Sequence, residues 1–196
     1  MSRLKNALKN EYAKSLILLV IVVVGILAFW IGLRAYLRTD YPLLAVASGS
    51  MVPTLKVGDL IAVQGGLNVS DITAAYETGD IVVFHKPENP DELIVHRAVS
   101  KFQDGNGFYL VTKGDNNPGN DYWKIYDRHL VGKVVGVAPY VGNLPLFIRT
   151  PGGMTIIVIL IVIMILIEVI IPFAREKKKQ ESPKEEETDV LDIGSL

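Results

Sequence analysis

The chain has 196 residues, room for one compact domain with appendages and not for two full domains. Its formal net charge of -1 removes any electrostatic case for a nucleic-acid partner. Cysteine is absent, which excludes disulfides, thiolate metal sites and a cysteine nucleophile.

Residues 1–14 form a basic N-terminus holding Arg3, Lys5, Lys9 and Lys14. The stretch Leu16–Leu33 then runs 18 residues without a charge. As a helix it covers roughly 27 Å, enough for the hydrocarbon core of a bilayer. It is longer than the ~7–15-residue apolar core of a cleavable leader, so residues 15–38 read as a retained transmembrane helix. Ala45-Val46-Ala47 mimics a small-x-small cleavage site but lies beyond Arg34 and Arg38, and reads as a strand.

The middle segment, 39–151, shows short strand-like runs separated by Gly, Asp, Asn and Pro. Strands are expected at Leu43–Ala47, Asp59–Val63, Asp80–His85, Leu93–Phe102, Phe108–Thr112 and Leu130–Ala138, with a hairpin turn at Gly105-Asn106-Gly107. No long amphipathic helix interrupts them, so the fold class is mainly antiparallel β, flanked by transmembrane helices. The second of these is expected at 154–173, around the run Ile156–Ile171 that only Glu168 breaks. Glu168 lies one turn from the end, where its carboxylate can snorkel to water. Pro172, Arg175 and Lys177–Lys179 close that run, and the charged tail 174–196 reads as disordered. Basic residues cluster before the first run and after the second, while only Arg34, Arg38 and Arg149 flank the middle. Both termini are therefore expected in the cytoplasm and the β domain outside it.

Three stretches hold more polar structure than folding needs. In Ser48-Gly49-Ser50-Met51-Val52-Pro53-Thr54, Gly49 and Pro53 constrain a turn carrying Ser50, which suits a nucleophile or simply a turn. His96, in Ile94-Val95-His96-Arg97-Ala98-Val99, is suited to general-base work, although many strand histidines are only hydrogen-bonded side chains. His85 and His129 read as surface residues. Lys113-Gly114-Asp115-Asn116-Asn117-Pro118-Gly119-Asn120-Asp121 is an Asx-rich loop that departs from the EF-hand pattern at its glycine and terminal glutamate positions. Either of its carboxylates, Asp115 or Asp121, could orient a histidine. No HExxH motif or glycine-rich phosphate loop occurs, so neither metal nor cofactor is expected.

From Ala47 to Asp121 the chain resembles the type I signal peptidases. Ser48–Thr54 is similar to the family's nucleophile box, Gly79-Asp80-Ile81-Val82-Val83-Phe84 to its second box, Ile94–Arg97 to its base box and Lys113–Asn117 to its aspartate box. Histidine at 96, where the usual bacterial enzymes carry lysine, resembles the archaeal and endoplasmic-reticulum branch. The resemblance implies an all-β serine endopeptidase that removes signal peptides from exported proteins by cleaving after small-x-small motifs. It implies Ser50 as nucleophile, His96 as base, Asp121 as orienting carboxylate and Asp115 as a second required acid. The Ser50 N–H and the Ser48 hydroxyl would form the oxyanion hole. Strands at Leu44, Ala45, Val46 and at Ile81, Val82, Val83 would clamp the substrate. Partners implied are secretory preproteins, the lipid bilayer, and the translocation channel or accessory subunits, at a cell or endoplasmic-reticulum membrane. Met51, Val52 and Leu55 are expected to touch lipid at the rim. A non-catalytic scaffold for emerging chains and a different membrane-tethered serine peptidase are the competing readings.

Overall fold

The computed structural model describes residues 11–180. The expectations for the basic N-terminus up to residue 10 and for the tail from 181 onward lie outside these residues, as do the side chains of Glu168 and of the Arg175–Lys179 cluster. The chain divides into two units, one running to Leu146 and the other starting at Phe147.

Helix α1 covers Glu11–Leu37, and within it Leu16–Leu37 contains an 18-residue window of mean hydropathy 3.2, none of it buried. A 22-residue helix of that composition is about 33 Å long. Its apolar residues, mostly leucine, valine and isoleucine, lie on every face, so no amphipathic stripe exists to dock it on a core.

Six strands follow: β1 (Leu43–Ala45), β2 (Leu60–Gln64), β3 (Ile81–Lys86), β4 (Asn89–Asp104), β5 (Gly107–Lys113) and β6 (Leu130–Ala138). They form one antiparallel sheet in the order β1-β2-β6-β3-β4-β5. All six expected strands are present, with shifted ends. β1 stops at Ala45, and the chain then turns away to build the Ser50 loop. β4 starts earlier than expected, at Asn89, and includes Pro90. Proline is tolerated there because this end of β4 is paired only on the β3 side. The hairpin pairs Asp104 with Gly107 across Gly105-Asn106, and Gly107 takes a φ of 110° that a side chain would resist.

Side chains of β3 alternate between two cores. Val82 and Phe84 enter a cluster with Val69, Ile72, Ala98, Leu110 and Ile125. Val83 enters the other, with Val46, Met51, Leu55, Ile61 and Val63. Because both faces of β3 are covered, its first four residues, Ile81–Phe84, are a continuous apolar run. Each large buried side chain here contributes roughly 1.5–3 kcal/mol. Met51 and Leu55 are 1% and 0% exposed, so they anchor the Ser50 loop to the core and do not touch lipid as expected.

A short helix α2, Asn143–Ile148, was not foreseen; its Pro145 sits in the first turn, where no N–H is required. Helix α3 spans Pro151–Gln180. Thr150 caps it, its Oγ1 accepting the Gly153 N–H at 3.0 Å, and Pro151 occupies the first turn. Among the described residues only Leu16–Leu37 is long and apolar enough to cross a membrane; the apolar stretch Pro151–Met164 is shorter.

Candidate active site

The Ser50 loop leaves the end of β1 and is closed by bonds from Val52 N to Gly49 O (3.2 Å) and from Leu55 N to Met51 O (2.9 Å). The aspartate loop braces it from the other side. Asn116 N donates to Ser50 O at 2.8 Å, and Asn116 Nδ2 donates to Gly49 O at 3.2 Å. Gly114 makes this approach possible, since a Cβ there would lie 2.7 Å from Ser50 O. Ser50 Oγ is half-buried and 3.3 Å from Ser48 Oγ. Among the described residues it bonds Ser48 and not His96.

His96 is buried in β4, opposite Val82 of β3, with its ring edge-on to Phe84 at 6.4 Å. Its Nδ1 lies 2.6 Å from Asp121 Oδ2, and the Thr112 hydroxyl donates to the same oxygen at 2.6 Å. A carboxylate there accepts the Nδ1 proton and leaves the lone pair on Nε2. Thr112 was not singled out in the sequence, where a threonine in a strand reads as ordinary β propensity. It is fully buried on β5, which pairs with β4.

Neighbouring strand residues face opposite sides, so His96 and Arg97 address different aspartates. Arg97 grips Asp115 with Nε at 2.8 Å and Nη2 at 2.6 Å, while Nη1 donates to Gly79 O at 2.8 Å. Thr54 Oγ1 adds a bond to Asp115 Oδ2 at 2.5 Å. Burial alone would raise the Asp115 carboxyl. The hydrogen bonds from Arg97 and Thr54, with the charges of Arg97 and Lys113, outweigh it and hold Asp115 below the usual carboxylate range. The same hydrogen bond raises Arg97 above its ordinary value. Arg97 is thus a structural tie between the aspartate loop and the turn before β3. Gly79 belongs to it as well, because a Cβ there would strike Ala98 O at 2.0 Å.

Ser48, Ser50 and His96 line one cleft of about 360 Å³. Its walls are Ala45–Ala47 after the free edge of β1, and Leu93–Val95 of β4. β5 pairs with β4 only from Arg97 onward, so among the described strands the edge of β4 at Leu93–His96 facing away from β3 is unpaired. The expected clamp at Ile81, Val82 and Val83 is not there. β3 lies inside the sheet, Val82 and Val83 are paired with β4 on one side and β6 on the other, and both are fully buried. Ala45 and Val46 do line the cleft, and Leu44 packs against the cluster beneath it.

His85 and His129 sit elsewhere and are half-buried, not surface residues. His85 Nδ1 meets Pro90 O at 2.5 Å, and His129 Nδ1 accepts the Tyr126 N–H at 3.3 Å. Burial, with the Arg128 charge, lowers His129 below its ordinary value.

The family model described as signal peptidase, peptidase S26, matches residues 10–101, a span that includes the Ser50 loop and His96 and ends before the aspartate loop. The chain is 36% identical over 126 residues to the signal peptidase complex catalytic subunit SEC11 of Colletotrichum graminicola, covering 61% of this chain and 70% of that protein. It is 32% identical over 150 residues to the subunit of the same name from Dictyostelium discoideum, covering 72% and 79%. A third such subunit, from Verticillium alfalfae, is 31% identical over 157 residues, covering 76% and 86%.

Proposed function

Because this chain belongs to the signal peptidase family, peptidase S26, and is a hydrolase that removes signal peptides, we propose that Ser50 is its nucleophile, with His96 as general base and Asp121 as the group that orients His96. The observation carrying this reading is the 2.6 Å contact between His96 Nδ1 and Asp121, in a cleft that Ser50 and His96 line together. The histidine lone pair on Nε2 is then available to a hydroxyl, and side chains settle into catalytic distance when substrate binds.

The steps follow from that arrangement. His96 Nε2 takes the Ser50 proton while Oγ attacks the scissile carbonyl carbon. The carbonyl oxygen becomes an oxyanion, stabilised by the Ser50 N–H and the Ser48 hydroxyl. His96 then gives its proton to the leaving amine, and the C–N bond breaks to leave an acyl-Ser50 ester. Water, deprotonated by His96, attacks the ester carbonyl; the C–Oγ bond breaks as His96 returns the proton to Ser50, which frees the signal peptide. Asp121 stays ionised throughout and stabilises the imidazolium. Asp115 supports the site through Arg97 without touching the reacting atoms.

The substrate lies as an added strand between the edge at Leu44, Ala45 and Val46 and the unpaired edge of β4 at Leu93–Val95. Main-chain bonds give affinity there, and pockets read alternate side chains. Small side chains at the cleavage site fit a cleft floored by Met51 and walled by alanines. The Leu16–Leu37 helix anchors the enzyme in a cell or endoplasmic-reticulum membrane. Ser50 follows Leu37 by only 13 residues, which keeps the cleft near the bilayer. Helix α3 supplies a second anchor, which puts both termini in the cytoplasm and the β domain outside it. The relatives are named as catalytic subunits of a signal peptidase complex, so accessory subunits are proposed here as well.

The test is to incubate the full chain in detergent with an intact secretory preprotein and sequence the new N-terminus. Cleavage should fall after a small-x-small motif and vanish in Ser50→Ala. Cleavage at unrelated positions, or undiminished cleavage by Ser50→Ala, would overturn the proposal.

A further inference from the structure

A second and larger cavity, of about 670 Å³, lies where α1 meets the β domain. The junction is firmly built. Leu37 is buried, and its carbonyl oxygen accepts the Gly65 N–H at 2.8 Å. Arg38 then turns the chain with a φ of 53°, and its side chain lies over Gly66, where a Cβ would be 3.2 Å away. The cavity is lined by the apolar Ile31, Leu130 and Val131, by the cations Arg34, Arg38 and Arg128, and by Asp40.

The charges do not cancel. Arg34 is paired with Asp40. Arg38 and Arg128 have no carboxylate partner among the described residues; Arg128 lies over the Tyr126 ring at 4.8 Å, with its Nε 3.2 Å from His129 Nε2. Two cations are thus left facing one cavity in a chain whose net charge is -1. Favourable interaction with the C-terminal end of a helix dipole accounts for arginines in and after the last turn of α1. It does not account for Arg128, which comes from the loop before β6, 90 positions later.

Ile31 lies inside the Leu16–Leu37 stretch, and Arg38 lies just past its end. The cavity therefore sits at headgroup depth, with both apolar residues and guanidinium groups in its lining. That pattern complements an amphiphile with an anionic head. Guanidinium groups bind phosphate oxygens in paired hydrogen bonds, and they lose less hydration than ammonium groups when they do so. We propose that this cavity holds the phosphate of a membrane phospholipid, with Arg38 and Arg128 on the phosphate oxygens and Ile31 toward an acyl chain. The proposal rests on the reading of α1 as a membrane span. A lipid so held would fix the height of the β domain above the bilayer.

The experiment measures phosphatidylglycerol binding to the full chain in mixed detergent micelles, with native mass spectrometry of the retained lipid. A basic side chain at a membrane surface contributes on the order of fivefold in binding. The pair Arg38→Gln and Arg128→Gln should therefore weaken binding by roughly 25-fold. Arg149→Gln, a basic residue outside the cavity, should leave binding unchanged. Should the double variant unfold, Arg38→Lys with Arg128→Lys keeps the charge but loses the paired hydrogen bonds, so it should bind severalfold more weakly than wild type; undiminished binding would refute guanidinium recognition of the phosphate. Inorganic phosphate at the same concentration should not displace the lipid; displacement would mean a site for free phosphate and would refute the lipid. Alkaline carbonate extraction of native membranes separates the two ideas. If the protein is extracted, the membrane span fails and the lipid site falls with it. If it remains embedded and the glutamine pair binds lipid as tightly as wild type, the lipid site alone is refuted.

Discussion

Asp121→Asn isolates charge from shape at the most informative contact in the site. Asp121 Oδ2 faces His96 Nδ1 and the Thr112 hydroxyl, each at 2.6 Å. An asparagine oxygen in the same place can still accept both bonds, so the ring keeps its orientation and tautomer. The loss is the negative charge opposite an imidazolium that forms only as Ser50 gives up its proton. The two side chains are 9% and 8% exposed, so solvent screens them little. Two unit charges about 4 Å apart interact by about 4 kcal/mol at an effective dielectric constant near 20. The amide dipole recovers part of that, leaving a deficit of roughly 3–4 kcal/mol, or about 100–1,000-fold in rate. The assay is steady-state cleavage of a peptide spanning a small-x-small site, with thermal unfolding in detergent alongside. The loss should appear in kcat with KM little changed, because the interaction strengthens only in the transition state. Activity within about threefold of wild type would refute the reasoning.

Thr112→Val keeps the shape of a fully buried side chain and removes one bond to a carboxylate. It should cost roughly 1.5–3 kcal/mol of stability in denaturant titrations and less activity than Asp121→Asn, since the charge remains. Asp115, held below the ordinary carboxylate value of 3.8, stabilises the fold fully above that value and loses its contribution as pH falls through its lower folded value. Asp115→Asn should therefore lower stability at neutral pH by roughly 2–3 kcal/mol and flatten its decline in acid, both read from unfolding midpoints against pH. Gly114→Ala places a Cβ against Ser50 O, so it should push the two loops apart and lower kcat by roughly 10–100-fold in the peptide assay.

Much of this was legible in the residues, and the gaps have physical causes. Turn residues between short apolar runs marked all six strands, and Gly49 and Pro53 marked the constrained loop around Ser50. The run Ile81-Val82-Val83-Phe84 showed a strand but not its place in the sheet. Only pairing shows that β3 is enclosed on both sides, and so the second wall of the cleft was assigned to it instead of to Leu93–Val95. Met51 and Leu55 sit in a turn close to a membrane helix, which made lipid look like their destination until the core proved to reach under the loop. The choice between Asp115 and Asp121 depended on which face of β4 each loop position meets, a fact of tertiary structure that loop spacing does not encode. The alternation of His96 and Arg97 on β4 sends them to separate acidic partners, Asp121 and Asp115.

The central claim is that Ser50 and His96 act as one chemical unit, and a double-mutant cycle tests it most directly. Cleavage by Ser50→Ala, His96→Ala and the combined variant should fall to the same residual level, because removing either group disables the other. If the double variant loses the product of the two single losses, or if Ser50→Ala still processes a preprotein, the two side chains do not share a proton and the account is wrong.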